Sequence, residues 1–147
     1  MENTDMVVKL FDELTPRELY EILKLRFDVF VLEQSCFYDE FDRIDYHATH
    51  YAIWDGDHVV CHARLYWGDA PGEMHIGRVV NSRRGVGLGK RIMRAAMADA
   101  WRQGAQYITI DAQCYVIGFY QDMGFNVISE PFDDCGILHV KMRCDRP

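Results

Sequence analysis

The sequence predicts a single α/β domain with a mixed sheet, in which most strands are antiparallel and one pair is parallel. Three patterns indicate this fold: a capped helix after the first strand, a tight hairpin, and a strand–glycine loop–helix–strand unit. A chain of 147 residues has the length of one domain, and its 49% hydrophobic content can supply a core. We therefore expect residues 1–147 to fold as one domain.

The first elements are a strand over residues 6–11 and a helix that begins near Thr15. Thr15 can cap this helix, Pro16 suits its first position, and Glu18 completes a capping box. Apolar residues then recur at helical spacing as far as Val31, and we interpret this face as core.

Two antiparallel strands follow, over residues 48–54 and 58–67. The turn between them reads Asp55-Gly56-Asp57, and an Asp-Gly pair between β-rich runs is a strong hairpin signal. A second turn at Pro71-Gly72 leads into a central strand that includes Ile76, Val79 and Val80.

The central strand opens the unit around which the chain is organised. Three glycines at alternate positions follow it, and then a helix that buries Ile92, Ala96 and Ala100 on one face. Gly104 marks the end of this helix, and residues 107–112 form the next strand. A connection of this length predicts a right-handed crossover between parallel strands.

The last elements are a short helix over residues 116–123 and two closing strands over 125–128 and 137–142. We expect a loop between these two strands, because Pro131, Asp133, Asp134 and Gly136 fall there.

The glycine loop predicts an anion site. Gly85, Gly87 and Gly89 allow a tight turn, and the first N–H groups of the following helix have no internal partner. Such a helix start binds phosphate, and the four basic residues nearby add positive charge; they are Arg83, Arg84, Lys90 and Arg91. A glycine-rich turn on a basic surface is the alternative interpretation.

Two other phosphate-binding motifs fit the loop less well. A Walker loop needs one more residue between its glycines and a Ser or Thr at Arg91. A dinucleotide loop needs a different glycine spacing, although Asp111 stands where a ribose-binding acid would be expected. An oxidoreductase therefore stays open at this point.

The overall charge of −7 argues against a nucleic-acid partner and favours a cationic substrate. Residues 33–45 carry five carboxylates and three aromatic side chains. Such a loop can bind an amine by charge and by cation–π contact. A solvated acidic loop is the alternative.

The cysteine and histidine patterns do not predict a metal site. The five cysteines contain no C-x-x-C pair, so we expect reduced thiols and no zinc site. His47 and His50 lack the partners of a four-ligand set. The acidic N-terminus and the absence of a 20-residue apolar run predict a cytoplasmic protein that does not bind membranes.

Several motifs resemble the GNAT acetyltransferase superfamily. Arg84-x-x-Gly87-x-Gly89 is similar to its R/Q-x-x-G-x-G/A pyrophosphate loop, and residues 118–125 are similar to its F-Y-x-x-x-G-F element. Residues 29–36 resemble the V-F-V-x-E-Q-x-C element of the ElaA-like branch, and residues 134–142 resemble that branch's D-G-I-x-H-x-x-M ending. The resemblance runs in register from about Leu19 to Met142.

The resemblance implies a sheet of six to seven strands, splayed between the two middle parallel strands and flanked by about four helices. It implies an acyltransferase that moves an acetyl group from acetyl-CoA to a primary amine by direct attack in a ternary complex, without a metal. It assigns the donor to Val79 and Val80 by backbone pairing, and to Gln113 across the split. The remaining donor contacts are Arg84, Gly85, Val86, Gly87, Leu88, Gly89 and Lys90.

Tyr120 is the expected general acid, because a nearby phenol can protonate the departing thiolate. A tyrosine packed in the core is the alternative. Glu73 and His75, at the start of the central strand, are candidate general bases by position, and Glu33 and His50 are others. The expected substrate contacts are Glu33, Asp39 and His50.

Three classes of function remain open at the level of sequence. They are an acetyltransferase for a small or peptide amine, a non-catalytic acyl-CoA sensor, and a dinucleotide-dependent oxidoreductase. The resemblance also leaves open a homodimer.

Overall fold

A sheet of eight strands forms the centre of the protein in the computed structural model, which describes residues 4–35 and 40–147. The strand order is β1-β2-β3-β4-β5-β8-β6, and β7 also pairs with β8. All neighbouring strands are antiparallel except β4 and β5. The strands are β1 (Thr4–Leu10), β2 (Thr49–Asp55), β3 (His58–Trp67), β4 (Glu73–Asn81), β5 (Tyr107–Gln113), β6 (Asn126–Val127), β7 (Phe132–Asp134) and β8 (Ile137–Asp145).

Three α-helices accompany the sheet: α1 (Pro16–Arg26), α2 (Leu88–Arg102) and α3 (Ile117–Gln121). A π-helical segment, Phe27–Glu33, continues α1, and short 3-10 turns precede α1, β2 and α3. The predicted capping box is confirmed, since Glu18 N donates to Thr15 Oγ1 (3.1 Å) and Thr15 N donates to the Glu18 carboxylate (2.8 Å).

The predicted mixed sheet is confirmed, and the element counts differ. The described residues form eight strands rather than six or seven, because the predicted loop before β8 contains β7. They form three α-helices rather than about four, because the chain beyond α1 continues as a π-helix.

The core lies on both faces of the sheet. Alternate residues of a strand point to opposite faces, so Tyr51 and Ile53 of β2 join the core that α2 covers, and Ala52 joins the core beneath α1. The face of α2 that was predicted to be buried is fully buried. The two helices therefore hold the sheet between them.

A closed ring of six alternating charges attaches the segment before β2 to α1, β3 and β4. In order around the charge ring, its members are Arg26, Glu40, Arg78, Asp42, Arg64 and Asp45. Neighbouring members are joined by N–O distances of 2.6 to 3.4 Å. Arg26 and Arg64 are 0% and 1% exposed, so the ring is largely shielded from solvent.

The arginines govern the ionisation of two carboxylates in the ring. Burial alone would raise the pKa of Asp45, but hydrogen bonds and charge from Arg26 and Arg64 outweigh burial and lower it. Burial is likewise overcome at Asp42, where Arg64 and Arg78 lower the pKa. Both carboxylates are therefore charged at neutral pH and are neutralised within the protein.

Replacing Arg26 with Met is expected to lower the free energy of unfolding by about 3–5 kcal/mol at pH 7, because buried carboxylates lose their partner. Lys24→Ala is the matched control, since Lys24 near the end of α1 forms an exposed ion pair with Asp28, and exposed pairs contribute little to stability. Denaturant unfolding measures both values. Equal stability of the two variants would contradict a stabilising role for the charge ring.

The contribution of Asp45 to stability is expected to vanish in acid. A carboxyl whose pKa is lowered by folding stabilises the protein fully above its unfolded pKa, near the ordinary value of 3.8, and loses this effect as pH falls through the folded pKa. The difference in unfolding free energy between the wild type and Asp45→Asn should therefore be constant from pH 5 to 7 and shrink below about 3.8. A difference that grows in acid would reverse the assigned sign.

Candidate active site

The cleft of the protein opens where β4 and β5 separate. These parallel strands pair over only three residues each, Glu73 to His75 with Tyr107 to Thr109. Beyond His75 the strands diverge, and a cleft of about 790 Å³ lies between their C-terminal halves. The predicted splay between the two parallel strands is thus confirmed.

A β-bulge on β4 shapes one wall of this cleft. Ala63 of β3 faces both Arg78 and Val79, and Arg78 has a φ of 48°. A bulge adds local twist and redirects the bulged strand. Because β5 has already diverged, the backbone groups of this part of β4 that face β5 have no strand partner, which leaves them accessible to a ligand in the cleft.

The glycine loop and the start of α2 form one end of the cleft. Gly85 and Gly87 have φ values of 82° and 78°, which side chains rarely adopt. Gly87 precedes α2 without a side-chain cap, and the first helical hydrogen bond runs from Arg91 N to Gly87 O (3.1 Å). The N–H groups of residues 88–90 therefore lack helical partners, and the positive end of the helix dipole faces the loop.

The basic residues of this loop differ in their partners. Arg83 forms an ion pair with Asp55 at the end of β2, which directs it away from the cleft. Arg84 and Lys90 line the cleft, and neither forms an ion pair with any residue that the structure describes. Their charge is therefore available to an anion.

Most of the predicted donor-binding residues lie together in this cleft. Those that line it are Val79, Val80, Arg84, Gly85, Gly87, Gly89, Lys90 and Gln113. Val86 and Leu88 do not line it: Val86 is 53% exposed in the loop, and the side chain of Leu88 is buried in the core, so that Leu88 can contribute only its backbone.

Tyr120 lines the same cleft from α3. It packs edge-on against Phe119 and Phe125, with ring centroids 5.1 and 6.1 Å away. Its hydroxyl forms no hydrogen bond within residues 4–35 and 40–147. Burial, with smaller contributions from Cys61 and Tyr115, raises the pKa of Tyr120 to about 12. The phenol is therefore protonated at neutral pH and free to donate.

Glu73 borders a smaller recess of about 470 Å³ beside the cleft, at the start of β4. Its carboxylate accepts hydrogen bonds from Thr109 Oγ1 (2.5 Å) and from Ala70 N (3.4 Å). His75 lines both the recess and the cleft, and its Nδ1 lies 2.9 Å from Thr109 Oγ1. The structure thus brings both predicted base candidates into one hydrogen-bonded group.

The predicted substrate contacts are less closely grouped. Glu33 lines the cleft and is exposed, whereas Asp39 lies outside the described residues. His50 is 1% exposed and does not line the cleft. Its Nε2 lies 2.9 Å from Asp45 O, and its Nδ1 lies 3.2 Å from Nε2 of His62, whose Nδ1 in turn lies 3.1 Å from Arg78 O. Direct contact of His50 with a substrate would require this network to open.

The cleft is also lined by three residues that are not among the predicted site residues, Arg64, Arg78 and Asp42. One signal was present in the sequence: Arg64 interrupts an otherwise apolar run in β3, and a charge at such a position requires a buried partner. The sequence predicts an amine-binding loop, or a solvated acidic one, over residues 33–45. Instead, its described carboxylates Glu40, Asp42 and Asp45 are paired with arginines.

The four described cysteines agree with the predicted reduced state at three positions and differ from it at one. Cys61, Cys114 and Cys144 are free thiols, as expected. Cys135 forms a disulfide bond, which overturns the expectation of reduced thiols at that position. Among the described residues no cluster of three His, Cys, Asp or Glu side chains could hold a metal ion, and no helix has the length and hydropathy to cross a bilayer.

Comparison with known proteins identifies the architecture. The family model of the GNAT acetyltransferase domain matches residues 15–146. ElaA of Escherichia coli is 34% identical over 138 residues, which cover 88% of this chain and 89% of ElaA. The crystal structure of that ElaA superposes with a TM-score of 0.91 at 30% identity, over 97% of this chain and 100% of the other.

A second solved structure has the same fold. The crystal structure of an acyl-CoA N-acyltransferase from Pseudomonas aeruginosa has a TM-score of 0.87 and 33% identity, and covers 95% of this chain and 99% of that one. Of the three classes of function left open by the sequence, these matches select the acyltransferase. The chain belongs to the GNAT acetyltransferase family, in its ElaA-like branch.

Proposed function

We propose that this protein transfers an acetyl group from acetyl-CoA to a primary amine by direct attack in a ternary complex, with residues 1–147 acting as one domain. GNAT enzymes use an acyl-CoA donor and act on amines. The observation that carries the proposal is the cleft itself, which joins an uncapped helix start, an unpaired strand edge and a free phenol.

The donor fits the features along the cleft. The N–H groups between Arg84 and Lys90 bind the pyrophosphate, because α2 starts there without a side-chain cap. The pantetheine amides pair with the backbone of Val79 and Val80, where β4 has no strand neighbour toward β5. Gln113 contacts the arm from the opposite wall.

The reaction needs one proton donor for the leaving thiolate and one proton acceptor for the attacking amine. The amine attacks the thioester carbonyl, the C–S bond breaks, and Tyr120 donates its proton to the departing thiolate. On the amine side a base must take one proton, and Glu73 and His75 at the start of β4 are the two candidates that the strand offers.

The charge ring changes the expectation for the amine. Its three carboxylates are neutralised by arginines, so they do not select a cation. Glu33 remains as an exposed carboxylate on the cleft wall, and Asp39 remains a prediction. We therefore expect the amine to be recognised by few charges, those of Glu33 and of Asp134, which also lines the cleft and has no ion pair with a described residue.

The function is tested by donor binding and by turnover. Titration calorimetry should register acetyl-CoA binding and no NAD binding. Thiol release from acetyl-CoA should rise with at least one member of a panel containing spermidine, an aminoglycoside, a lysine peptide and a peptide with a free N-terminus. Absence of heat with acetyl-CoA would refute the proposal.

Tyr120→Phe is expected to lower kcat roughly 10²-fold while leaving the Kd for acetyl-CoA unchanged, because the phenol acts on the leaving group. Steady-state thiol release measures kcat, and calorimetry measures Kd. Tyr20→Phe on the outer face of α1, where Tyr20 is 67% exposed, is the matched control. A kcat equal to that of the control would remove Tyr120 from the mechanism.

Gly87→Ala is expected to weaken acetyl-CoA binding roughly tenfold, because about 1–2 kcal/mol of left-handed strain must be paid to hold the N–H groups in place. Gly56→Ala is the matched control, since Gly56 has a similar φ of 63° in the β2–β3 turn and equal open space around it. Calorimetry on both variants separates the effects. Equal Kd values of the two variants for acetyl-CoA would contradict binding of the pyrophosphate at the glycine loop.

A further inference from the structure

A hydrogen-bonded chain of three side chains lies at the point where the cleft begins. His75 and Thr109 face each other in the last residue pair that β4 and β5 share. Thr109 Oγ1 lies 2.9 Å from His75 Nδ1 and 2.5 Å from Glu73 Oε2. The three residues therefore connect the small recess to the fork of the sheet.

The number of protons in this chain fixes the tautomer of His75. The hydroxyl of Thr109 has one hydrogen, and the Glu73 carboxylate can only accept. Thr109 therefore donates to Glu73 and accepts from His75, which places the imidazole hydrogen on Nδ1. The lone pair of the neutral ring is consequently on Nε2.

The Nε2 atom of His75 is accessible from the cleft. It has no hydrogen-bond partner in the described part of the chain, and it is not among the buried polar atoms that lack one. Gly77 lies next to the ring on the same face of β4 and leaves space there, because an added Cβ would be in van der Waals contact with the ring, 3.5 Å from Cδ2 and 3.7 Å from Nε2. Tyr66 of β3 covers the other side, with ring centroids 5.4 Å apart.

The surroundings of His75 keep the ring unprotonated near neutral pH. Burial lowers its pKa, and Arg64 of β3 and Lys141 of β8 act in the same direction. Asp111 of β5 and Glu73 oppose them and raise it. The net pKa is below the ordinary value of 6.5, so the lone pair is available at pH 7.

Glu73 is held away from the cleft. It borders the recess and not the cleft, and its two oxygens accept from Ala70 N and Thr109. Gly68 makes room for it, because a Cβ at that position would lie 2.6 Å from the carboxylate. These contacts orient Glu73 toward Thr109 rather than toward a substrate.

We propose that His75, rather than Glu73, takes the proton of the acceptor amine at Nε2, and that Thr109 and Glu73 are positioning residues that hold the Nδ1–H tautomer. This inference rests on the proposed function and chooses between its two candidate bases on β4. It is independent of which amine is used.

The proton balance of the step is complete. Starting from the neutral amine, whose ammonium form has already released one proton to solvent, the nitrogen forms the C–N bond and loses one N–H bond, and Nε2 gains that hydrogen to give an imidazolium. The C–S bond breaks, and the thiolate receives a proton from Tyr120. The imidazolium, with Glu73 on the far side of Thr109, then returns its proton to solvent, and Tyr120 regains one.

Kinetics with the fastest amine of the panel distinguish the two candidate bases. His75→Gln should lower kcat/KM about 10²-fold or more and remove the acidic limb of its pH profile. Glu73→Gln keeps an acceptor for Thr109 and removes the charge that raises the pKa of His75. It should therefore retain activity within roughly tenfold and move the acidic limb to lower pH. Loss of that limb in Glu73→Gln would overturn the proposal.

Thr109 provides the positioning test. Thr109→Val removes the hydroxyl at equal size and should lower kcat/KM, whereas Thr109→Ser should restore it. The Kd for acetyl-CoA should be unchanged in all four variants, which shows that each one folds. Equal rates for the Val and Ser variants would exclude the hydroxyl from catalysis.

A measurement that needs no acceptor separates this inference from the proposed function. Nitrogen-15 NMR of the full chain should show His75 as the Nδ1–H tautomer at pH 7.5, and Thr109→Val should give a mixture. A wild-type Nε2–H tautomer would refute the inference even if acetyl transfer is found. Failure to bind acetyl-CoA together with an Nδ1–H signal would refute the proposed function and leave the relay geometry intact.

Discussion

The short pairing of β4 with β5 is the constraint on which the rest of the site depends. Only three residues on each strand are hydrogen-bonded partners before the strands separate. Parallel strands normally bury both faces and keep their ladder intact, so a gap in the middle of a sheet exposes backbone groups that need another partner. The bulge at Arg78 and the uncapped start of α2 face the same gap. A thioester ligand with an amide-bearing arm and a diphosphate matches these unfilled positions.

The charge ring supports the opposite end of the cleft. It consists of buried ion pairs where apolar side chains could also pack. Such pairs add little net stability over apolar packing, but the loss of one partner is strongly destabilising. Its value lies in geometry, since Arg78 can adopt its bulged conformation while its side chain is bound to Glu40 and Asp42. The segment before β2 is therefore linked to β4, the strand that lines the cleft.

Local patterns predicted the parts of the molecule that depend on neighbouring residues. The capping box at Thr15, the Asp-Gly turn and the glycine loop each depend on a few adjacent positions, and each was found. The charge ring was not predicted, because its partners are up to 38 positions apart along the chain and no local spacing connects them. Thr109 was missed for a related reason, since a threonine inside a strand looks like any other β-branched residue. Strand β7 was missed because three residues with two acids resemble a turn.

The imidazoles of His50 on β2 and His62 on β3 are stacked in the interior and share too few hydrogens for their contacts. Carbonyl oxygens lie at both ends of the His50–His62 pair, so three contacts need three hydrogens, and two uncharged rings supply only two. One of the three contacts therefore brings two lone pairs together while both rings are uncharged. Burial lowers the pKa of both rings and so favours this uncharged state. Because folding lowers the pKa of both imidazoles, protonation of the pair destabilises the folded protein, and acidification weakens the imidazole pair as well as the ion pairs around it.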